Sequence, residues 1–176
     1  MKWRVLALFA LAPLAAQADS KEGFTYQRGE ITIMREKLPP QLPWLPTPDP
    51  AVKFDVEIRD AGSNYSGQTG WFNMSGPVEN GGAMMVFPAP GLFPLTRSMD
   101  FAPLDVAMIG ADGRIGQIVH NVKLSDLDHE IAPEKPVRVF LFLQGGATEK
   151  LFINPDDRVE SAPFGQASPV IGKDGK

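Results

Sequence analysis

With 176 residues, 17 Lys and Arg, 21 Asp and Glu, two His and no Cys, the chain has room for one domain with a sizeable buried core. The missing thiol excludes disulfides, thiol catalysis and Cys-ligated zinc or iron–sulfur sites. A net charge of −4 without any run of Lys or Arg excludes the clustered cations on which phosphate-backbone binding depends, so no nucleic-acid partner is expected.

The chain opens with Lys2 and Arg4, an apolar stretch over 5–15 broken by Pro13, and Ala16-Gln17-Ala18. A positive start, a short apolar core and small residues at the two positions read by a signal peptidase predict a secretory signal peptide over 1–18, cut before Asp19. That core is too short to cross a bilayer. Nothing later approaches the roughly 20 apolar residues of a membrane helix, so no transmembrane anchor is expected. The chain has no Cys to carry a lipid, and Asp19 follows Ala18, so no lipoprotein anchor is expected. Cleavage leaves 158 residues with 15 basic and 21 acidic side chains, a net charge of −6. The expected location is exported, periplasmic or secreted, in a Gram-negative bacterium.

The mature part reads as one β domain over 19–160. Residues 24–34 (FTYQRGEITIM) carry the β-branched and aromatic content of a first strand. Residues 39–50 (PPQLPWLPTPDP) place six prolines in twelve positions, which forbids helix and central strand and favours polyproline II. They read as a rigid strap packing Leu42, Trp44 and Leu45, with a presented recognition motif as the alternative. Residues 53–60 (KFDVEIRD) put Phe54, Val56 and Ile58 on one face and charges on the other, the period-two signature of a half-buried strand. Residues 61–82 are rich in Gly, Ser and Asn around Trp71, Phe72 and Met74, and predict a loop or short helix near 63–74. Short apolar strands follow at 84–87 and 104–109.

The Ala111-Asp112-Gly113 turn then sends 114–124 back antiparallel. Residues 137–143 (VRVFLFL) are apolar on nearly every position past Arg138, as in a central strand covered on both faces. Gln144-Gly145-Gly146-Ala147 turns the chain, 151–153 and 157–160 finish the domain, and 161–176 reads as a disordered tail. The predicted fold is all-β, an antiparallel sandwich or flattened barrel with at most one or two short helices.

The block from 54 to 159 resembles the family called domain of unknown function 192, a small, often exported, β-rich domain. The likeness is carried by Val56-Glu57-Ile58, Gly70-Trp71-Phe72, the run Ala83 to Pro88, Met99 with Pro103-Leu104-Asp105, Asp112-Gly113-Arg114-Ile115, the apolar strand and Gly pair over 137–146, and Asp157-Arg158-Val159. Where that family usually has Lys-Asn-Thr, this chain has Asp100-Phe101-Ala102. A ligand served by the missing amide and hydroxyl would be altered or lost. The resemblance implies a compact sandwich-like fold and no reaction.

Candidate chemistry concentrates where Met99 leads into Leu104. Asp105 begins an apolar strand, and a carboxylate there must be paired or hydrogen-bonded. It is either a ligand-facing acid or a cap accepting N–H bonds from the link over 96–100. The expected ligand-binding lip is Trp71, Arg97, Met99, Asp100 and Asp105, since aromatic and thioether groups beside a few charges suit a binding patch. The leading function is therefore a non-enzymatic exported domain that binds an unknown small molecule or protein partner, with no cofactor. Two alternatives compete with it. Asp105 and Asp100 could divide acid and base roles if their pKa values separate. Met34, Met74, Met84, Met85, Met99 and Met108 could converge near His120 as soft ligands for copper(I), although methionine also fills gaps in cores. Asp126, Asp128 and Glu130 beside His129 alternate like calcium-loop oxygens but lack the Gly and the closing Glu of that loop, and read as a solvated turn. No nucleophile elbow, Walker loop or dinucleotide fingerprint occurs.

Overall fold

A computed structural model describes residues 19–21, 24–38, 49–61, 81–97 and 102–161. The expected signal segment, most of the expected proline strap, the short helix expected near 63–74, and all of the expected tail but Ser161, which is in a strand, lie outside the described residues. So do Trp71, Met99 and Asp100 of the expected lip.

The described strands are β1 (Asp19–Lys21), β2 (Phe24–Met34), β3 (Ala51–Asp60), β4 (Gly81–Gly91), β5 (Leu104–Ile109), β6 (Ile115–Val122), β7 (Val137–Gln144) and β8 (Arg158–Ser161). They form one curled sheet in the order β1-β2-β3-β4-β7-β5-β6, with β8 on β2. The sheet curls far enough for the β8 end to meet the start of β6. Arg114 bridges Arg158, Ile115 N donates to Asp157 O at 2.9 Å, and Val159 N donates to Gly113 O at 2.8 Å. The result is an essentially all-β half-barrel, as the spacing of short strands and turns predicts. Beyond the strands, the described residues include a 3-10 turn at Leu124–Asp126 and one helix, α1 (Ala147–Lys150).

One pairing departs from the expected antiparallel sheet. β3 and β4 run parallel, in register from Asp55 opposite Gly81 to Asp60 opposite Val86. Parallel neighbours cannot be joined by a hairpin, and the stretch over 61–80 is long enough for the crossover they need. β4 is also longer than the apolar 84–87 suggested, and its pairing with β7 is interrupted between Val86 and Gly91.

The sheet buries apolar side chains on both faces. Ile31, Ile33, Phe54, Val56, Ile58, Met84, Ala107, Ile109, Val139, Leu141 and Leu143 fill the concave core. Met85, Phe87, Leu104, Val106, Met108, Phe140 and Phe142 form a second core, covered by Leu95 and Leu124 with Phe93, Leu127 and Ile131 packed against it. β5 and β7 lie between the two cores, which is why their sequences are nearly continuous apolar runs while β3 alternates. Among the described residues no helix is long and apolar enough to cross a membrane.

Candidate functional site

The site begins with a charge in the wrong place for an apolar strand. Asp105 is the second residue of β5 and shares a face with Ala107 and Ile109, so it points into the rim of the concave core, 0 % exposed. Burying a bare carboxylate is costly, and the surrounding chain is shaped to satisfy it. Oδ1 accepts the N–H of Asn121 at 2.8 Å and that of Gly146 at 3.1 Å. Oδ2 accepts the N–H of Thr148 at 2.9 Å and its hydroxyl at 2.7 Å.

These donors come from the end of β6, the glycine pair after β7, and α1. One side chain therefore clasps the start of β5 to the ends of β6 and β7. Gly146, with φ 81°, is the N-cap of α1 and brings no side chain of its own. Asp105 supplies the missing cap from across the sheet, taking up N–H groups that a helix start leaves unpaired. Burial pushes the Asp105 carboxyl up, but the Thr148 hydroxyl and the backbone N–H groups of Asn121, Thr148 and Gly146 outweigh it and hold the group below the usual carboxylate value.

The corner is tight as well as polar. Gly145 N donates to Pro103 O at 2.9 Å. A Cβ on Gly145 would stand 2.5 Å from Asn121 Oδ1 and 2.8 Å from Pro103 O. Because the second of these is backbone, Gly145→Ala is expected to destabilise the fold by about 1–3 kcal/mol through overpacking. A chemical denaturation curve checks this, and an unchanged midpoint would contradict the packing.

The clasp extends to the surface through a histidine. Thr148 Oγ1, fully buried, lies 3.0 Å from Nδ1 of His120, whose ring is exposed at the end of β6. In sequence His120 falls within the returning strand over 114–124, where the role it suggests is beside soft methionine ligands. Its partner lies 28 positions away in a helix too short to leave a periodic signal.

Of the five residues expected to form the lip, the described structure places Arg97 and Asp105. Arg97 is exposed, two residues beyond the bridge between Leu95 and Ile131. Asp105 is a satisfied acid, one of the two readings open from sequence. Its partners among the described residues are Asn121, Gly146 and Thr148, and most of the link over 96–100 lies outside the described residues. Backbone donors leave no mark in a sequence, so this set could not be read there. Three of the described methionines are divided between the two cores, Met84 in the concave one and Met85 and Met108 in the other. Asp128, His129 and Glu130 are exposed beyond the 3-10 turn.

A second buried carboxylate works in the same way at the seam of the half-barrel. Asp157, 1 % exposed, accepts the N–H of Glu36 through Oδ1 and that of Asn154 through Oδ2, both at 2.8 Å. It ties the end of β2 to the segment entering β8. Arg114 reinforces the seam by pairing with Glu36 at 3.2 Å and donating to Asp156 O at 2.9 Å. Nearby lies a shallow concavity of about 400 Å³ lined by Lys37, Leu38, Phe152, Asn154, Pro155 and Asp156. Phe152 stands 49 % exposed there with φ 55°, an unusual backbone conformation for a bulky residue.

No curated protein matches this sequence. Two solved structures share the fold. One is a candidate transcription regulator from Sinorhizobium meliloti 1021, 20 % identical, with a TM-score of 0.62 over 78 % of this chain and 95 % of that one. The other is a protein of unknown function from Novosphingobium aromaticivorans DSM 12444, 19 % identical, with a TM-score of 0.64 over 83 % of this chain and 94 % of that one. At such identities the likeness is one of fold alone. Asp105 and Asp157, the two buried clasps, both fall within the motifs quoted for the family resemblance. Residues 45–161, which carry both clasps and β3–β8, match the uncharacterized family of domain of unknown function 192, described as Uncharacterized ACR, and the chain belongs to that family.

Proposed function

We propose that the chain is an exported, periplasmic or secreted, non-enzymatic domain that binds a small molecule or a protein partner. The site is the end of the sheet where β5 begins and β6 and β7 finish. The supporting observation is the Asp105 clasp: four donors from three elements are fixed on one carboxylate. That clasp makes a rigid floor from which the link before Pro103 departs. Binding residues carried on a rigid base lose less freedom when a ligand arrives.

In this reading Trp71, Arg97, Met99 and Asp100 form the contacting lip, and Asp105 belongs to it as the group that holds the floor in place. The saturation of Asp105 favours binding over acid–base chemistry. A carboxylate held below its ordinary value carries no proton to donate near neutrality, and four donors occupy its lone pairs. The mature net charge of −6 favours a neutral or cationic ligand.

Native mass spectrometry of the chain purified from its own periplasm tests the proposal. The wild-type protein should carry a bound species. The double substitution Trp71→Ala with Met99→Ala should lose it while the far-UV spectrum stays unchanged. Equal retention by the double variant would overturn the placement of the site, and a wild-type protein carrying nothing would overturn the binding role.

A further inference from the structure

We infer that His120 is the ligand-facing group of the Asp105 corner, a histidine whose Nε2 is held as an outward acceptor for an N–H or O–H donor on the bound species. This rests on the binding role proposed above and names the chemistry of the site.

The argument is a count of protons. Ionised Asp105 can only accept. Thr148 has one hydroxyl proton, and at 2.7 Å from Oδ2 it is committed to the carboxylate. The Thr148 oxygen can therefore only accept in its 3.0 Å contact with His120 Nδ1. Nδ1 must carry the hydrogen, and in the neutral ring that leaves the lone pair on Nε2. The hydrogen bond at one ring nitrogen thus sets the chemistry of the other.

Among the described residues Nε2 has no hydrogen-bond partner, and the ring is exposed. A carboxylate that orients an imidazole through a fixed tautomer is the arrangement by which proteins prepare a histidine to meet a substrate or a ligand. Here the carboxylate acts through a hydroxyl, so Asp105 and Thr148 are positioning residues. His129, exposed and without such a chain among the described residues, is a control within the same molecule.

Two measurements on the full chain decide it. Long-range ¹H–¹⁵N correlation spectra near neutral pH should show His120 protonated on Nδ1 in the wild type and in Thr148→Ser, which keeps the hydroxyl. In Thr148→Val the proton should move to Nε2. If Thr148→Val does not fold, the wild type and Thr148→Ser still decide the question, since a His120 protonated on Nε2 in either overturns the inference. Acylation by diethyl pyrocarbonate then reports whether Nε2 meets the ligand. His120 should react more slowly in protein as isolated from its periplasm than in protein stripped by unfolding and refolding, while His129 reacts equally in both. Equal rates for His120 in the two preparations, with a bound mass present in the first, overturn the inference and leave the binding role standing. A protein that carries no bound mass overturns that role and the ligand-facing assignment together.

Discussion

Asp105→Ala is expected to destabilise the fold by about 3–5 kcal/mol, because it removes the one acceptor shared by four buried donors. The substitution leaves the N–H groups of Asn121, Gly146 and Thr148 and the Thr148 hydroxyl facing an empty pocket. Each unsatisfied buried donor costs about 1–3 kcal/mol, and water admitted at the rim offsets part of the sum. Asp105→Asn keeps the shape but turns an amide NH₂ toward a backbone N–H, so it should cost less than Ala and still lower the denaturation midpoint.

The same clasp gives a pH dependence of known sign. The folded Asp105 carboxyl titrates below its unfolded value of 3.8. Below that value the unfolded chain binds the proton first, so stability falls as the solution is acidified. The contribution is present in full above the unfolded value and is lost as pH drops through the folded one. Asp105→Asn should flatten that part of the wild-type stability profile. A loss under about 1 kcal/mol for Asp105→Ala would mean that the four hydrogen bonds do not hold the corner.

How far the sequence reaches depends on the kind of contact. The alternation over 53–60 identifies the buried face of β3, because side chains alternate whatever the strand pairs with. The continuous apolar run over 137–143 identifies a strand covered twice, and β7 lies between β4 and β5. The Asp112-Gly113 turn is equally legible, since Gly113 sits at φ 78°. Alternation does not say in which direction a neighbour runs, so the parallel pairing of β3 and β4 left no trace. Nor did α1, which at four residues completes only one turn.

The site was legible in its charge and not in its partners. An Asp between Leu104 and Val106 announces that something must satisfy it. What satisfies it is backbone from 16 to 43 positions away, and backbone donors are the same for every residue except proline. The hydroxyl of Thr148 carries a side-chain signal, but its meaning depends on β6 bringing His120 alongside. Asp157 was hidden for the same reason, as its partners are the N–H groups of Glu36 and Asn154. Both acids stand in motifs that carry the family resemblance, Asp105 at the corner of β5, β6 and β7 and Asp157 at the seam of the half-barrel.

Phe140→Ala is the companion test on the other side of the sheet, expected to cost about 3–5 kcal/mol as a large-to-small change in a full core. Phe140 is fully buried on β7, edge-on to Phe87 at 5.2 Å and to Phe142 at 6.2 Å. Phe87 in turn stacks on Phe93 at 4.0 Å, so removing the Phe140 ring opens a void under the segment over 92–97 that covers this face. That segment is held to the sheet by the paired hydrogen bonds of Leu95 and Ile131 and runs on to Arg97. Hydrogen exchange at the Leu95 and Ile131 amides should therefore speed up more than at Asn121, whose N–H is held by Asp105 in the concave core. Phe152→Ala is the contrast: it removes a ring of similar size that is 49 % exposed, and should cost about 1 kcal/mol. If the two substitutions cost the same, the second core does not carry the weight its packing implies.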